Sequence, residues 1–254
     1  MSILLAWLGD PKNERRLINH QKRANQSGFL KKRRERMLKN DDVDIAQPLP
    51  RIGDPAPYFE VETTHGVLSL ENFKGQWLVL FSHPMDFTPV CTSEFIAFAK
   101  SADKFKEMGV ELLGLSIDSV FSHIAWVRNV KEKFDVSIPF PIIADMDGHI
   151  ANLYGMVMPG DLSTVTSRCL FVIDTNAVIR ATIYYPFTTG RNIQEVIRLV
   201  AALQVCDENA VGTPADWQPG DPVIQYPPRT QDNAEQVASN GDECIDWYYC
   251  TRKL

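Results

Sequence analysis

The spacing of apolar positions changes from segment to segment along this chain, and the changes outline its elements. WLVLFS (77–82) is an almost unbroken apolar run, which predicts a buried strand. Over residues 92–108 the apolar Phe95, Ile96, Phe98 and Phe105 recur at roughly helical intervals. VELLGLSI (110–117) predicts the next strand and residues 119–134 the next helix. PIIAD (141–145) reads as a short strand, and GHIANLYG (148–155) as a short helix closed by Gly155. CLFVID (169–174) and AVIRATIYY (177–185) predict an antiparallel pair joined at Thr175-Asn176, followed by a helix over about 191–206. Upstream, residues 58–70 predict a hairpin turning at His65-Gly66. Strands that alternate with helices give an α/β sheet, here with an antiparallel part.

Both ends depart from this pattern. AQPLPRIGDPAP (46–57) holds four prolines and marks a boundary. Residues 212–229 hold five and cannot be helical along their length, so they are expected to run extended over a neighbouring surface. Residues 231–243 are polar and are expected to be mobile. They lead into CIDWYYC (244–250), whose aromatic side chains form either a docking element or an exposed liability. Cys244 and Cys250 are six apart, which does not suit one helix face and requires a loop between them. The chain thus divides into an N-terminal extension (1–49), a central α/β domain (50–207) and a C-terminal segment (208–254).

Composition narrows the class. At 254 residues, 44% hydrophobic and 23% charged, the chain has the balance of an ordinary globular protein. MSILLAWLGD lacks a basic n-region and has only six consecutive apolar residues, so neither a secretory signal nor a membrane span is expected. Charge is uneven: residues 1–40 carry 11 Lys or Arg against 3 Asp or Glu, and the rest carries 15 against 29. The basic arm, which includes FLKKRRERMLK, could meet a polyanion or serve as a solvated tail. Five cysteines without a regular framework point to thiols in a reducing, cytoplasmic setting. There is no CxxC, and the histidines are not spaced as zinc ligands, so no metal is expected.

Cys91 is the candidate nucleophile. HPMDFTPVC (83–91) ends the WLVLFS strand and opens the next helix. The unpaired N–H groups and dipole of a helix's first turn stabilise an anion, which suits a thiolate. Thr88, three residues earlier, is near enough for its hydroxyl to reach the sulfur or an oxygen bound beside it. Pro84 and Pro89 restrict the loop and remove two backbone donors. A buried cysteine that merely fills the core is the competing reading.

FSHPMDFTPVCTSE (81–94) resembles the active-site segment of the peroxiredoxins, in their one-cysteine, peroxiredoxin-6-type branch. Its core pattern Pro-x-x-x-Thr-x-x-Cys is met by Pro84, Thr88 and Cys91. SRCLFVID (167–174), YYPFTTGRN (184–192) and TPADWQPGD (213–221) fit the same family in order. The resemblance implies a thioredoxin-like fold with a C-terminal dimerisation arm, and a thiol peroxidase of antioxidant function that needs no cofactor. Cys91 would be the peroxidatic cysteine, oxidised to a sulfenic acid by hydrogen peroxide or an organic hydroperoxide. Arg168 would hold the thiolate and polarise the peroxide, Thr88 would hydrogen-bond it, and Pro84 would shield the sulfenate. His83 and Arg191 match positions around the substrate pocket.

The same resemblance extends to CIDWYYC, which is similar to the C-terminal segment of thermophilic and archaeal relatives. It implies that Cys250 resolves the sulfenate of a partner subunit through a Cys91–Cys250 disulfide, and that Cys244 can accept the disulfide as Cys244–Cys250. Otherwise an external thioredoxin-like or glutathione-like thiol would do so. Cys169 and Cys206 read as core and structural residues. Homodimers or decamers are expected by resemblance. A lipase-type serine motif found in some members is missing from KGQWLVL (74–80), so no phospholipase activity is expected. A different class remains: a polyanion-binding or chaperone-like oligomer that would contact nucleic acid only through residues 1–40.

Overall fold

The structure is a computed structural model that describes residues 49–158, 164–239 and 244–254. The basic N-terminal arm lies outside the described residues. Among those described, no helix is long and apolar enough to cross a membrane.

The uninterrupted apolar run becomes β3 (Trp77–Ser82), at the heart of a seven-stranded sheet. Its other strands are β1 (Glu60–Thr63), β2 (Gly66–Ser69), β4 (Val110–Ser116), β5 (Ile142–Ala144), β6 (Arg168–Ile173) and β7 (Ile179–Tyr185), in the order β2-β1-β5-β4-β3-β6-β7. β3, β4 and β5 run parallel, and β6 and β7 return antiparallel on one side. This is the thioredoxin-like α/β arrangement expected from the resemblance.

Alternation along the strands builds two cores. Val79 and Phe81, Val110 and Leu112, and Leu170 and Val172 face one side. They pack under α1 (Pro89–Glu107), α2 (Val120–Phe134) and α4 (Ile193–Asn209). Leu78, Leu80, Leu113, Leu115, Phe171 and Ile173 face the other, under α3 (His149–Leu153) and the short 3-10 turn Leu70–Phe73. Gly114 lies on the α1 side of β4, where an added Cβ would stand 3.1 Å from the Phe95 ring. The missing side chain lets α1 settle close to the sheet.

The C-terminal segment holds elements that the sequence pattern did not predict. Within the polar stretch that follows the prolines, α5 spans Gln231–Ser239. Its start is tied by Thr230, whose Oγ1 accepts from Asn233 N, and Gln231 and Glu235 pair along one face at 3.2 Å. Such local i, i+4 pairs support a helix whose apolar stripe is short, only Ala234, Val237 and Ala238, which is why the polar sequence hid it. Residues 244–250 form a β-hairpin, with β10 (Cys244–Asp246) against β11 (Tyr249–Arg252). With β8 (Val211–Gly212) and β9 (Val223–Gln225) they make a second sheet ordered β10-β11-β9-β8. The proline-rich stretch runs largely extended, as expected, but anchors itself through Trp217, which is buried with Val211, Val223 and Ala202. The last long helix extends to Asn209, three residues past the expected end, and Ala210 closes it in the left-handed conformation.

Candidate active site

The segment after β3 carries the candidate nucleophile, and the fold fixes it from several directions. Ser82 Oγ donates to the Ser167 carbonyl at 2.7 Å and accepts from Cys169 N, locking the end of β3 to the start of β6. His83 N donates to Leu115 O, and Thr166 Oγ1 donates to His83 O at 2.7 Å. The loop then turns through Phe87 at φ 54°, a left-handed conformation that costs a bulky residue energy. Thr88 stands at the N-cap position of α1 without a side-chain capping bond, and Pro89 occupies the first turn.

Cys91 follows in that first turn, fully buried. Arg168, one strand away on β6, brings Nη1 to 3.5 Å from Cys91 Sγ. The same Nη1 donates to Glu94 Oε2 at 2.7 Å, and Nε donates to the Phe187 carbonyl at 3.0 Å. Arg191 completes the frame: its backbone N and Nε donate to Glu94 Oε1, Nη2 donates to Oε2 at 2.8 Å, and Nη1 holds the Cys169 carbonyl. Its guanidinium also stacks over Phe81 and Phe98. Burial opposes the charged form of Glu94, but the charge and hydrogen bonds of Arg191, with the charge of Arg168, outweigh it and hold the carboxyl below its usual range. Two guanidinium groups and one carboxylate leave one positive charge in surplus. An anion beside Arg168 would balance it.

The predicted residues therefore fall into distinct roles. Cys91 and Arg168 come together. Thr88 Oγ1 donates to Met85 O at 2.9 Å, so toward a bound molecule it presents lone pairs rather than a proton. Pro84 is buried on the same loop. Arg191 is brought in indirectly, through Glu94. His83 points elsewhere: Nε2 pairs with Asp86 Oδ1 at 2.9 Å, and the ring packs against Phe95 and Trp126. Cys169 faces the opposite side of the sheet from Arg168, as strand alternation requires. Cys206 is half-buried on α4.

Glu94, Asp86 and His123 went unassigned in the sequence. Glu94 stood inside the quoted motif, and only the fold reveals its two arginines. Asp86 accepts from both His83 and His123, and His123 Nε2 meets the Ile143 carbonyl at 3.1 Å. Asp86 N also donates to Asp118 Oδ2. Burial works against the Asp86 carboxylate, yet hydrogen bonds from His123 and His83 hold it well below the usual carboxylate range. Burial also pushes His83 below its ordinary value despite Asp86. The three groups present ligand atoms within 4.8 Å of one another, the one such cluster among the described residues. Each contact is already a hydrogen bond at 2.9–3.1 Å in a closed interior, so the trio acts as a scaffold that steadies the 83–88 loop.

Far along the chain, Cys244 and Cys250 are joined in a disulfide across the β10–β11 hairpin. Of the two pairings implied by resemblance, this is the one present.

Most of the chain is similar to known proteins. Residues 52–182 match the AhpC/TSA family, and residues 202–240 match the C-terminal domain of 1-Cys peroxiredoxin. A peroxiredoxin of Aquifex aeolicus is 56% identical over 217 residues, covering 81% of this chain and 98% of that one. One from Archaeoglobus fulgidus is 50% identical, covering 81% and 99%. Among solved structures, a yeast mitochondrial 1-Cys peroxiredoxin superposes with a TM-score of 0.73 at 42% identity, over 81% of this chain and 100% of that one. A cysteine mutant of peroxiredoxin 6 from Arenicola marina superposes at 0.72 and 35% identity, over 80% and 98%.

Proposed function

Since the chain belongs to the peroxiredoxin family and is a thiol-dependent peroxidase, we propose that Cys91 is its peroxidatic cysteine and that hydrogen peroxide and organic hydroperoxides are its substrates. The observation that carries this reading is Arg168 Nη1 at 3.5 Å from Cys91 Sγ, backed by Glu94 and Arg191.

The thiolate attacks the terminal peroxide oxygen in line with the O–O bond. An S–O bond forms as the O–O bond breaks, leaving a sulfenic acid and expelling hydroxide or alkoxide, which takes up a proton as water or alcohol. Negative charge moves from sulfur to the leaving oxygen. The surplus positive charge at Arg168 stays beside it throughout, and its fixed donors need not reorganise. Thr88 Oγ1 accepts from the peroxide O–H and sets the angle of approach. Pro84 closes the loop side. Phe81, Phe95 and Phe98 keep water from the buried face of the sulfur.

Cys250 of a partner copy then attacks the sulfenate, giving a Cys91–Cys250 link and water, and Cys244 takes over the disulfide. The Cys244–Cys250 bond supports this order, being the product that such a hand-over would leave. A thioredoxin-like or glutathione-like thiol closes the cycle, in a cytoplasmic homodimer or decamer. The central domain (50–207) would bear the chemistry and the C-terminal part (208–254) the arm. Dimedone labelling after one equivalent of peroxide tests the first step, with the label expected on Cys91 in Cys250→Ser. Non-reducing mass mapping of wild type tests the second, and no Cys91–Cys250 link at any time after mixing would contradict it.

A further inference from the structure

The two sulfurs of the C-terminal disulfide are not equivalent. β11 is an inner strand, hydrogen-bonded to β10 on one side and to β9 on the other through Thr251↔Ile224 and Arg252↔Val223. Cys250 sits on it, 5% exposed. β10 is the sheet's edge, and Cys244 at its start is only half-buried. The surroundings of the sulfurs differ too. Cys250 Sγ lies 3.6 Å from the Asp246 carbonyl oxygen, which presents lone pairs to any anion approaching that atom.

We propose that an external dithiol opens this disulfide at Cys244, never first at Cys250, making Cys244 the entry point for reducing equivalents. The idea deepens the two-cysteine cycle above and rests on it for its place in turnover. Thiol–disulfide exchange requires a thiolate to approach one sulfur in line with the S–S bond, and its rate depends on access to the sulfur attacked. The half-buried edge position of Cys244 grants that access, while the burial of Cys250 and the Asp246 carbonyl beside its sulfur deny it there.

The exchange balances as follows. One thiolate of the dithiol bonds to Cys244 Sγ, the Cys244–Cys250 bond breaks, and its electron pair leaves on Cys250 Sγ, which takes a proton from solvent. The dithiol's second thiolate then attacks its own partner sulfur and releases Cys244 as thiolate. The dithiol departs as a disulfide, having delivered two electrons. Cys250 is thereby freed in the first step, ahead of Cys244, and is ready for another sulfenate.

The test uses the full chain carrying Cys91→Ser, so that no peroxidase chemistry enters, with circular dichroism matched to wild type. Its disulfide is formed with diamide and challenged with a thioredoxin retaining only its attacking cysteine. The reaction is quenched in acid within seconds, alkylated and mapped by mass spectrometry. The mixed disulfide is expected on Cys244, with Cys250 alkylated, in roughly tenfold or greater excess. Adducts mainly on Cys250, equal adducts on both, or none on either would overturn the assignment. The peroxidase reading would stand or fall separately, on the dimedone experiment.

Discussion

Glu94 stands directly behind Arg168: its Oε2 accepts from Arg168 Nη1 at 2.7 Å, and that same nitrogen lies 3.5 Å from Cys91 Sγ. The carboxylate sets where the guanidinium points, and Arg191 in turn fixes the carboxylate. Glu94→Gln should therefore lower the rate of Cys91 oxidation by about 10-fold to 100-fold and also lower stability, since its amide NH2 would face an arginine N–H and two buried guanidinium groups would lose their counter-charge. Stopped-flow oxidation at several peroxide concentrations would check this. Glu94→Asp should rescue little, because the shorter side chain cannot span both arginines.

Arg168→Lys keeps the charge but loses the fork that reaches Glu94, Phe187 O and the sulfur together. A drop of about 100-fold or more in the second-order rate with peroxide is expected, beside near-native circular dichroism. A loss under threefold would mean that charge alone suffices.

Much of this arrangement was legible in the sequence. The continuous apolar run announced β3, and the helical spacing that follows it announced a strand-to-helix turn bearing Cys91, whereas the Pro-x-x-x-Thr-x-x-Cys pattern was matched through the family resemblance. Arg168 was reached through the family resemblance. What stayed hidden depends on distant contacts. Glu94 and Arg191 are 97 residues apart, and Asp86 and His123 are 37 apart, so no local pattern could join them. The helix Gln231–Ser239 and the hairpin at Cys244 were missed for a different reason. The helix has only a short stripe of Ala234, Val237 and Ala238 among polar residues, and the hairpin is recognisable only once β9 gives it an edge to join.

Acid should destabilise the protein in two stages. Burial holds His83 below its ordinary 6.5, so as pH falls through 6.5 the unfolded chain binds a proton that the folded one refuses, and stability drops. Glu94 and Asp86 lie below their ordinary 4.5 and 3.8 in the fold, so the stability they confer is present above those values and lost as pH falls further. Asp145, raised by burial, has the opposite sign and blunts the second stage. Urea titrations at pH 7.5, 6 and 5 should show falling stability, and His83→Gln should flatten that window. Constant stability from pH 7.5 to 5 in wild type would refute the assignment.

Ala210 closes α4 at φ 51°, where a Cβ is strained and the cap N–H bonds Cys206 O. Ala210→Gly should stabilise the protein by about 1 kcal/mol, read as a higher midpoint in thermal or urea unfolding with unchanged activity.

The central claim is that Cys91, held by Arg168, performs the peroxide chemistry. Hydrogen peroxide consumption with excess dithiothreitol, measured for wild type beside Cys91→Ser, tests it most directly. The account predicts steady turnover in wild type and none above the uncatalysed rate in Cys91→Ser. Equal consumption by both proteins, or none by either, would contradict it.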